Sequence, residues 1–336
     1  MDRRDAIAAL LVLGATAGPL LKYSQAQALR KPYRIALLPD LAASATHLLS
    51  LFAETLRESG RIEGRDFIFY RSGIFYGQDI ERSVRLVVDE KPDLIFAINL
   101  GYAIAAHKLT KTIPIVMWMA GFPVVEGGVA QSLARPGKNV TGMTIYAGAQ
   151  IFGKLVQLLH EAKPDIKRIG ALFTYLPPFI PAEEAELIMK ELRDAGRSLG
   201  IAVRILQIAK PEQTAGALAA VVAERIDALL LTSGVPIASH QKEIIQLALE
   251  KRLPTIADIS MAWGGRPLLS YSASSDRLVR KAAAYANRIL WEGAKPGDLP
   301  IQMPSKFELI VNLKTAKAIG LTVPQSLLLR ADKVIE

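Results

Sequence analysis

The sequence predicts an α/β protein of two lobes, each a doubly wound parallel sheet, joined by short crossover strands. Short apolar runs alternate with amphipathic segments from Tyr33 onward, the rhythm of strand–helix–strand units. That rhythm restarts after the turn-rich stretch Arg135-Pro136-Gly137-Lys138-Asn139, so the halves read as two versions of one open sheet. The chain has 336 residues, 51% of them apolar, more than one compact core usually takes.

Residues 34–38 read as the first strand, ending at Pro39-Asp40. Residues 46–59 follow with Leu48, Leu49, Phe52 and Leu56 on one helical face, before a turn over 60–64. A strand over 67–70, a helix over 79–90, a buried strand over 92–98, a short helix over 103–109 and a strand over 113–119 complete the first half. The second half reads as helix 152–159, strand 168–173, helix 182–199 closed by Gly200, strand 203–208, helix 213–225, strand 226–232, helix 237–251 and strand 253–257. After Leu269-Ser270-Tyr271 a helix over 276–291 is placed to return to the first lobe, and residues 307–319 read as a last helix ended by Gly320. The expected division is a first lobe of 29–145 plus about 273–297 and a second of 146–272 plus about 298–336.

The start of the chain has the order of a secretory signal peptide over residues 1–28: Arg3 and Arg4, an apolar stretch over 6–21, then Ala26-Gln27-Ala28, with Leu29 the expected first mature residue. Gly14, Gly18 and Pro19 interrupt the stretch, which is short for a membrane span. The paired arginines leave open which export route is used. No cysteine is present, which excludes a disulfide scaffold, a thiol nucleophile and an N-terminal lipid on cysteine, so a soluble periplasmic protein is expected. The formal charge of +9 comes from basic residues dispersed in ones and twos, a solvated surface with no nucleic-acid patch.

Motifs for chemistry are absent from the sequence. His47, His107, His160 and His240 are far apart, with no metal-binding pair. No phosphate-cradling glycine loop and no nucleophile elbow occurs. Ser239-His240-Gln241-Lys242 fits S-x-x-K, and its plainer reading is a serine capping the following helix. No cofactor is expected.

Open α/β sheets bind ligands at strand carboxyl ends. Five such loops stand out, at 39–44, 99–102, 120–123, 174–178 and 232–236. Helix N-termini there suit a carboxylate, and Asp40 or Asp258 suits an ammonium group. Tyr102, Phe122, Tyr146, Tyr175 and Tyr271 are candidates to wall an apolar or aromatic side chain. Ser44, Asn99, Gly101, Gly121, Ser233 and Ser270 complete the candidate set.

The stretch Gly127-Gly128-Val129-Ala130-Gln131-Ser132-Leu133-Ala134-Arg135-Pro136-Gly137-Lys138-Asn139-Val140-Thr141-Gly142 resembles the ABC-transporter substrate-binding family typified by tryptophan and tyrosine import receptors. Further matching blocks lie at Ser59–Asp66, Gly264-Gly265 with Leu268–Tyr271, and Gly293–Pro300. The strongest runs from Pro304 through Lys306–Lys317 to Leu327–Asp332. The resemblance implies a type I periplasmic-binding fold, a small solute held between the lobes, an ABC permease as partner and no catalysis. Relatives carry Gly-Asp-Pro-Val where this chain has Gly121-Phe122-Pro123-Val124, placing an apolar wall where they have a carboxylate. This chain also inserts Arg266-Pro267 after Gly265, a candidate contact for an anionic ligand or a surface arginine beside a turn. The expectation is an extracytoplasmic, monomeric receptor for an amino acid or an aromatic or branched carboxylate. A receptor feeding a sensor or chemoreceptor is the near alternative, and a secreted enzyme using Ser239, Lys242 and Asp258 the distant one.

Overall fold

The computed structural model describes residues 31–38, 46–71, 80–121, 124–125, 127–174, 182–232, 234, 237, 240–259, 263–264 and 266–336. The expected signal peptide lies outside the described residues, as do Asp40, Ser44, Phe122, Tyr175 and Ser233.

The first half runs β1 (Tyr33–Leu38), α1 (Thr46–Glu58), β2 (Phe67–Tyr70), α2 (Ile80–Asp89), β3 (Leu94–Ala97), α3 (Leu100–Leu109), β4 (Ile115–Ala120) and β5 (Val140–Thr144). Its strands form a parallel sheet in the order β2-β1-β3-β4-β5. Successive side chains of a strand point to opposite faces, so a strand covered on both sides is apolar throughout. In β1, Ile35 and Leu37 join a core with Leu48, Phe52 and Leu56 of α1, whereas Ala36 and Leu38 join a second core with Val84 and Val87 of α2 and Ala103 and Ala106 of α3.

The second half comprises α4 (Gln150–Ala162), β6 (Arg168–Phe173), α5 (Ala182–Ser198), β7 (Ala202–Gln207), α6 (Thr214–Ala223), β8 (Ala228–Leu231), α7 (Gln241–Glu250), β9 (Thr255–Ala257) and β10 (Leu269–Ala273). Then come α8 (Ser275–Leu290), β11 (Phe307–Asn312), α9 (Leu313–Ile319), α10 (Gln325–Arg330) and β12 (Lys333–Ile335). The sheet order is β12-β11-β10-β9-β8-β6-β7, parallel except that β11 runs antiparallel to β10. Again the faces alternate: Ile169, Ala171 and Phe173 pack with α4 and α5, while Leu172, Leu229 and Leu231 pack with α6 and α7.

The last helix expected over 307–319 is corrected by the structure. Residues 307–312 are the strand β11, and only 313–319 are helical. Leu309 and Val311 are buried at period two against β10, and Asn312 caps α9 by accepting from the Thr315 N–H at 3.0 Å. The helix after Ser239 likewise takes its N-cap at His240 rather than at the serine.

Among the described residues the chain passes between the sheets over 145–149, at Ser274, and over 303–306. Before the last passage, residues 297–302 run beside β5. Gln302 N donates to Gly142 O at 3.0 Å, Thr144 N donates to Gln302 O at 2.9 Å, and Ile301 N donates to Leu133 O at 2.7 Å. Helix α8 follows a strand of the second sheet yet packs on the first, burying Leu278, Val279, Ala282 and Ala286 with Phe52 and Trp118. Its Arg280 reaches Glu54 and Glu58 of α1 at 3.1 and 3.2 Å.

Candidate functional site

The carboxyl ends of the second sheet converge on a cleft. Phe173 and Thr174 at the end of β6, Thr232 after β8, Asp258 and Ile259 after β9, and Ser272 and Ala273 of β10 line it. Because β11 is antiparallel, its first residue, Phe307, stands at the same end, opposite Ala273. Gly121 after β4 and Ile145 and Tyr146 of the first crossover close the other side, with Ile151 and Phe152 from the first turn of α4 and Ser275 from that of α8.

Each wall is fixed by local bonding. Thr144 Oγ1 accepts from Tyr146 N at 2.8 Å and donates to Tyr146 O at 2.9 Å, setting the turn that presents Tyr146. Thr232 Oγ1 donates to Leu172 O at 2.9 Å and accepts from Thr174 N at 3.2 Å, joining the ends of β8 and β6. Phe307 stacks on Tyr271 with ring centroids 5.6 Å apart, so Tyr271 supports the aromatic wall from the core side. The N-caps of α4 and α8, Ala149 and Ser274, make no side-chain cap bond, and in α4 the Ile151 and Phe152 N–H groups donate instead to Gly148 O and Ala149 O at 3.4 and 3.0 Å.

Of the candidates read from sequence, the structure brings Gly121, Tyr146 and Asp258 together in this cleft. Asn99 caps α3 by accepting from Tyr102 N at 3.1 Å, and Gly101 lies in the first turn of that helix. Tyr102, 1% exposed, packs in the first lobe's core, and Ser270, 2% exposed, is buried within β10. Arg266 donates to Trp263 O at 3.2 Å and Gln241 Oε1 at 3.0 Å, away from the cleft-lining residues.

Sequence reasoning does not single out Phe152, Phe173, Thr174, Thr232, Ser272 or Phe307. Thr174 and Thr232 open two of the five loops, so position within the strand-end rule is the signal that finds them, whereas Phe307 needs the antiparallel pairing of β11.

Two open α/β sheets, chain crossovers between them and a cleft at the strand ends define a two-lobed solute-binding protein of the type I periplasmic-binding class. The chain belongs to the ABC transporter substrate binding protein family, whose model matches residues 46–335. It is 29% identical over 234 residues to a tyrosine-binding protein of Clostridioides difficile strain R20291, covering 70% of this chain and 65% of that relative's length. A solved conserved domain protein from Vibrio cholerae O1 biovar El Tor superposes with a TM-score of 0.74 at 25% identity, over 90% of this chain and all of that one. An ABC domain from Streptococcus pneumonia, solved in complex with L-Trp, also gives a TM-score of 0.74, at 22% identity over 91% of this chain and 100% of its own.

Proposed function

We propose that this protein captures a small organic solute outside the cytoplasm and delivers it to the permease of an ATP-driven importer. The observation that carries this reading is the cleft itself, lined by the second sheet's strand ends, by Gly121 of the first lobe and by the crossover residues Ile145 and Tyr146. A solute touching both lobes favours their closure, since it shifts the equilibrium by its extra contacts in the closed state. The expected lobes, 29–145 with about 273–297 and 146–272 with about 298–336, are supported by the two sheets and by the packing of α8, except that residues 298–302 bond to the first sheet and go with the first lobe.

The solute is an amino acid or an aromatic or branched carboxylate. The N-termini of α4 and α8 suit a carboxylate, and Phe152, Phe173, Phe307 and Tyr146 suit an apolar side chain. The tyrosine-binding relative points the same way. The protein works as a periplasmic monomer, free of lipid because it has no cysteine, after removal of residues 1–28, and without nucleic acid.

A thermal-shift screen of the exported protein against amino acids, aromatic acids, branched acids, nucleosides and sugars tests this. A solute at a hundred times its Kd stabilises by roughly 2.7 kcal/mol. A large shift confined to amino acids or apolar carboxylates, with the compound recovered unchanged, is expected; turnover of the compound, or no shift anywhere, sinks the reading.

A further inference from the structure

The two cores of the protein meet at one stacked pair of rings. Strands β10 and β11 pair antiparallel with Tyr271 opposite Leu309 and Ala273 opposite Phe307, so these four side chains lie on one face, alternate residues of a strand pointing the same way. Leu309 and Tyr271 pack in the apolar cluster of the second lobe. Two residues nearer the cleft, Ala273 and Phe307 pack in the cluster of the first lobe, with Trp118 of β4 and Leu278 of α8. The Phe307 and Tyr271 rings lie 29° from parallel with centroids 5.6 Å apart, a diagonal contact across the strand pair.

The chain changes lobe beside this same pair. Ala273 is followed by the crossover at Ser274, and Phe307 directly follows the crossover over 303–306. Rotation of the lobes therefore moves the first-lobe cluster against a ring whose backbone belongs to the second sheet. The stack on Tyr271 decides whether that ring holds its place or follows, because packed side chains occupy discrete arrangements and do not deform continuously. Phe307 also lines the cleft, whereas Tyr271 is not among the described lining residues.

We infer that Tyr271 is a positioning residue: its ring holds Phe307 against the first-lobe core, and through Phe307 the filling of the cleft is coupled to the angle between the lobes. The coupling to solute rests on the receptor function proposed above. The hold on the lobe angle does not, and the two are measured separately.

The chain has no cysteine, so spin labels on Lys108→Cys of α3 and Lys251→Cys after α7, exposed positions in different lobes and outside the cleft lining, report the distance between the lobes. In the solute-free protein Tyr271→Leu, which stays apolar and removes the stack, is expected to broaden the distance distribution, and Tyr271→Phe, which keeps the ring, to give the parent distribution. A lower melting temperature with an unchanged distribution means that the ring only fills space, and overturns the inference. Should Tyr271→Leu not fold, Phe307→Leu at a half-buried position replaces it, with the same broadening expected and the same result overturning. Calorimetric titration with L-tyrosine, L-tryptophan and L-leucine reads the coupling. A probe that binds the parent is expected to bind Tyr271→Leu about threefold to tenfold more weakly, the worth of one aromatic pair, and Tyr271→Phe equally. Parent affinity in the leucine variant overturns the coupling and leaves the receptor function standing. If no probe binds the parent, the solute class proposed above fails, and the distance distribution alone decides the inference.

Discussion

Thr144 and Tyr146 hold each other at both ends of the peptide: the threonine hydroxyl accepts from the tyrosine N–H and donates to the tyrosine carbonyl. The pair sits where the chain leaves β5 for the second lobe, so the hydroxyl of buried Thr144 shapes both the crossover and the cleft wall. Thr144→Val removes both bonds and leaves two backbone groups short of a partner. A loss of about 1–3 kcal/mol is expected in denaturant unfolding, together with weaker solute binding because Tyr146 is no longer fixed.

Gly142 is the least replaceable glycine of the first sheet. Its φ is +138°, and a Cβ there would lie 1.8 Å from Met117 O on the neighbouring strand, which is backbone and cannot turn aside. Gly142→Ala is expected to cost more than about 3 kcal/mol or to abolish folding, read from expression and thermal melting. An equal melting temperature in the variant would contradict the close strand approach.

Asn99 follows β3, at a position that sequence reasoning assigns to ligand. The structure gives its oxygen to the N-terminus of α3. Asn99→Ala is expected to lower stability by about 1 kcal/mol while solute affinity stays within twofold of the parent. A loss of affinity without a loss of stability would return Asn99 to the binding site.

His107 donates from Nδ1 to Asn139 Oδ1 at 2.5 Å, because the asparagine amide already donates to Thr110 O and Ile113 O. Burial pushes the His107 pKa below its ordinary 6.5, with the nearby Lys111 and Lys138 adding to the effect and the Asn139 bond opposing it. Between the depressed folded value and 6.5 the unfolded chain binds more protons, so this residue's contribution is full above 6.5 and falls as the pH drops toward the folded value. His107→Gln is expected to flatten stability against pH in that window, measured by urea unfolding at several pH values.

The alternation of strands and helices was legible because each element of the two sheets carries its own period: β1 shows a continuous apolar run, and α1 repeats Leu48, Phe52 and Leu56 at helical spacing. Phe307-Glu308-Leu309-Ile310-Val311 misleads because Phe307, Ile310 and Leu313 also recur at helical intervals. Only pairing with β10, more than thirty residues earlier, decides for a strand, and local pattern carries no record of that partner. At the candidate site, Asp258 was legible as a charged residue just past an apolar strand, whereas Thr174 is distinguished by an unpaired hydroxyl that only coordinates reveal. The recognisable stretches around Gly137 and Gly297 have a structural explanation: Gly137 N donates to Gly297 O at 3.0 Å, and a Cβ on Gly297 would meet Lys138 N and O at 2.9 Å. They form one seam between distant segments and do not contribute to the cleft lining.

The placement of α8 governs the order in which the protein can assemble. A chain that has grown only through β5 has Leu37, Phe52, Phe96 and Trp118 in place but lacks the helix that buries them, which begins more than a hundred residues later. The amino-terminal lobe therefore cannot mature on its own while the rest of the polypeptide is being made, and contacts of such long sequence separation are slow to form.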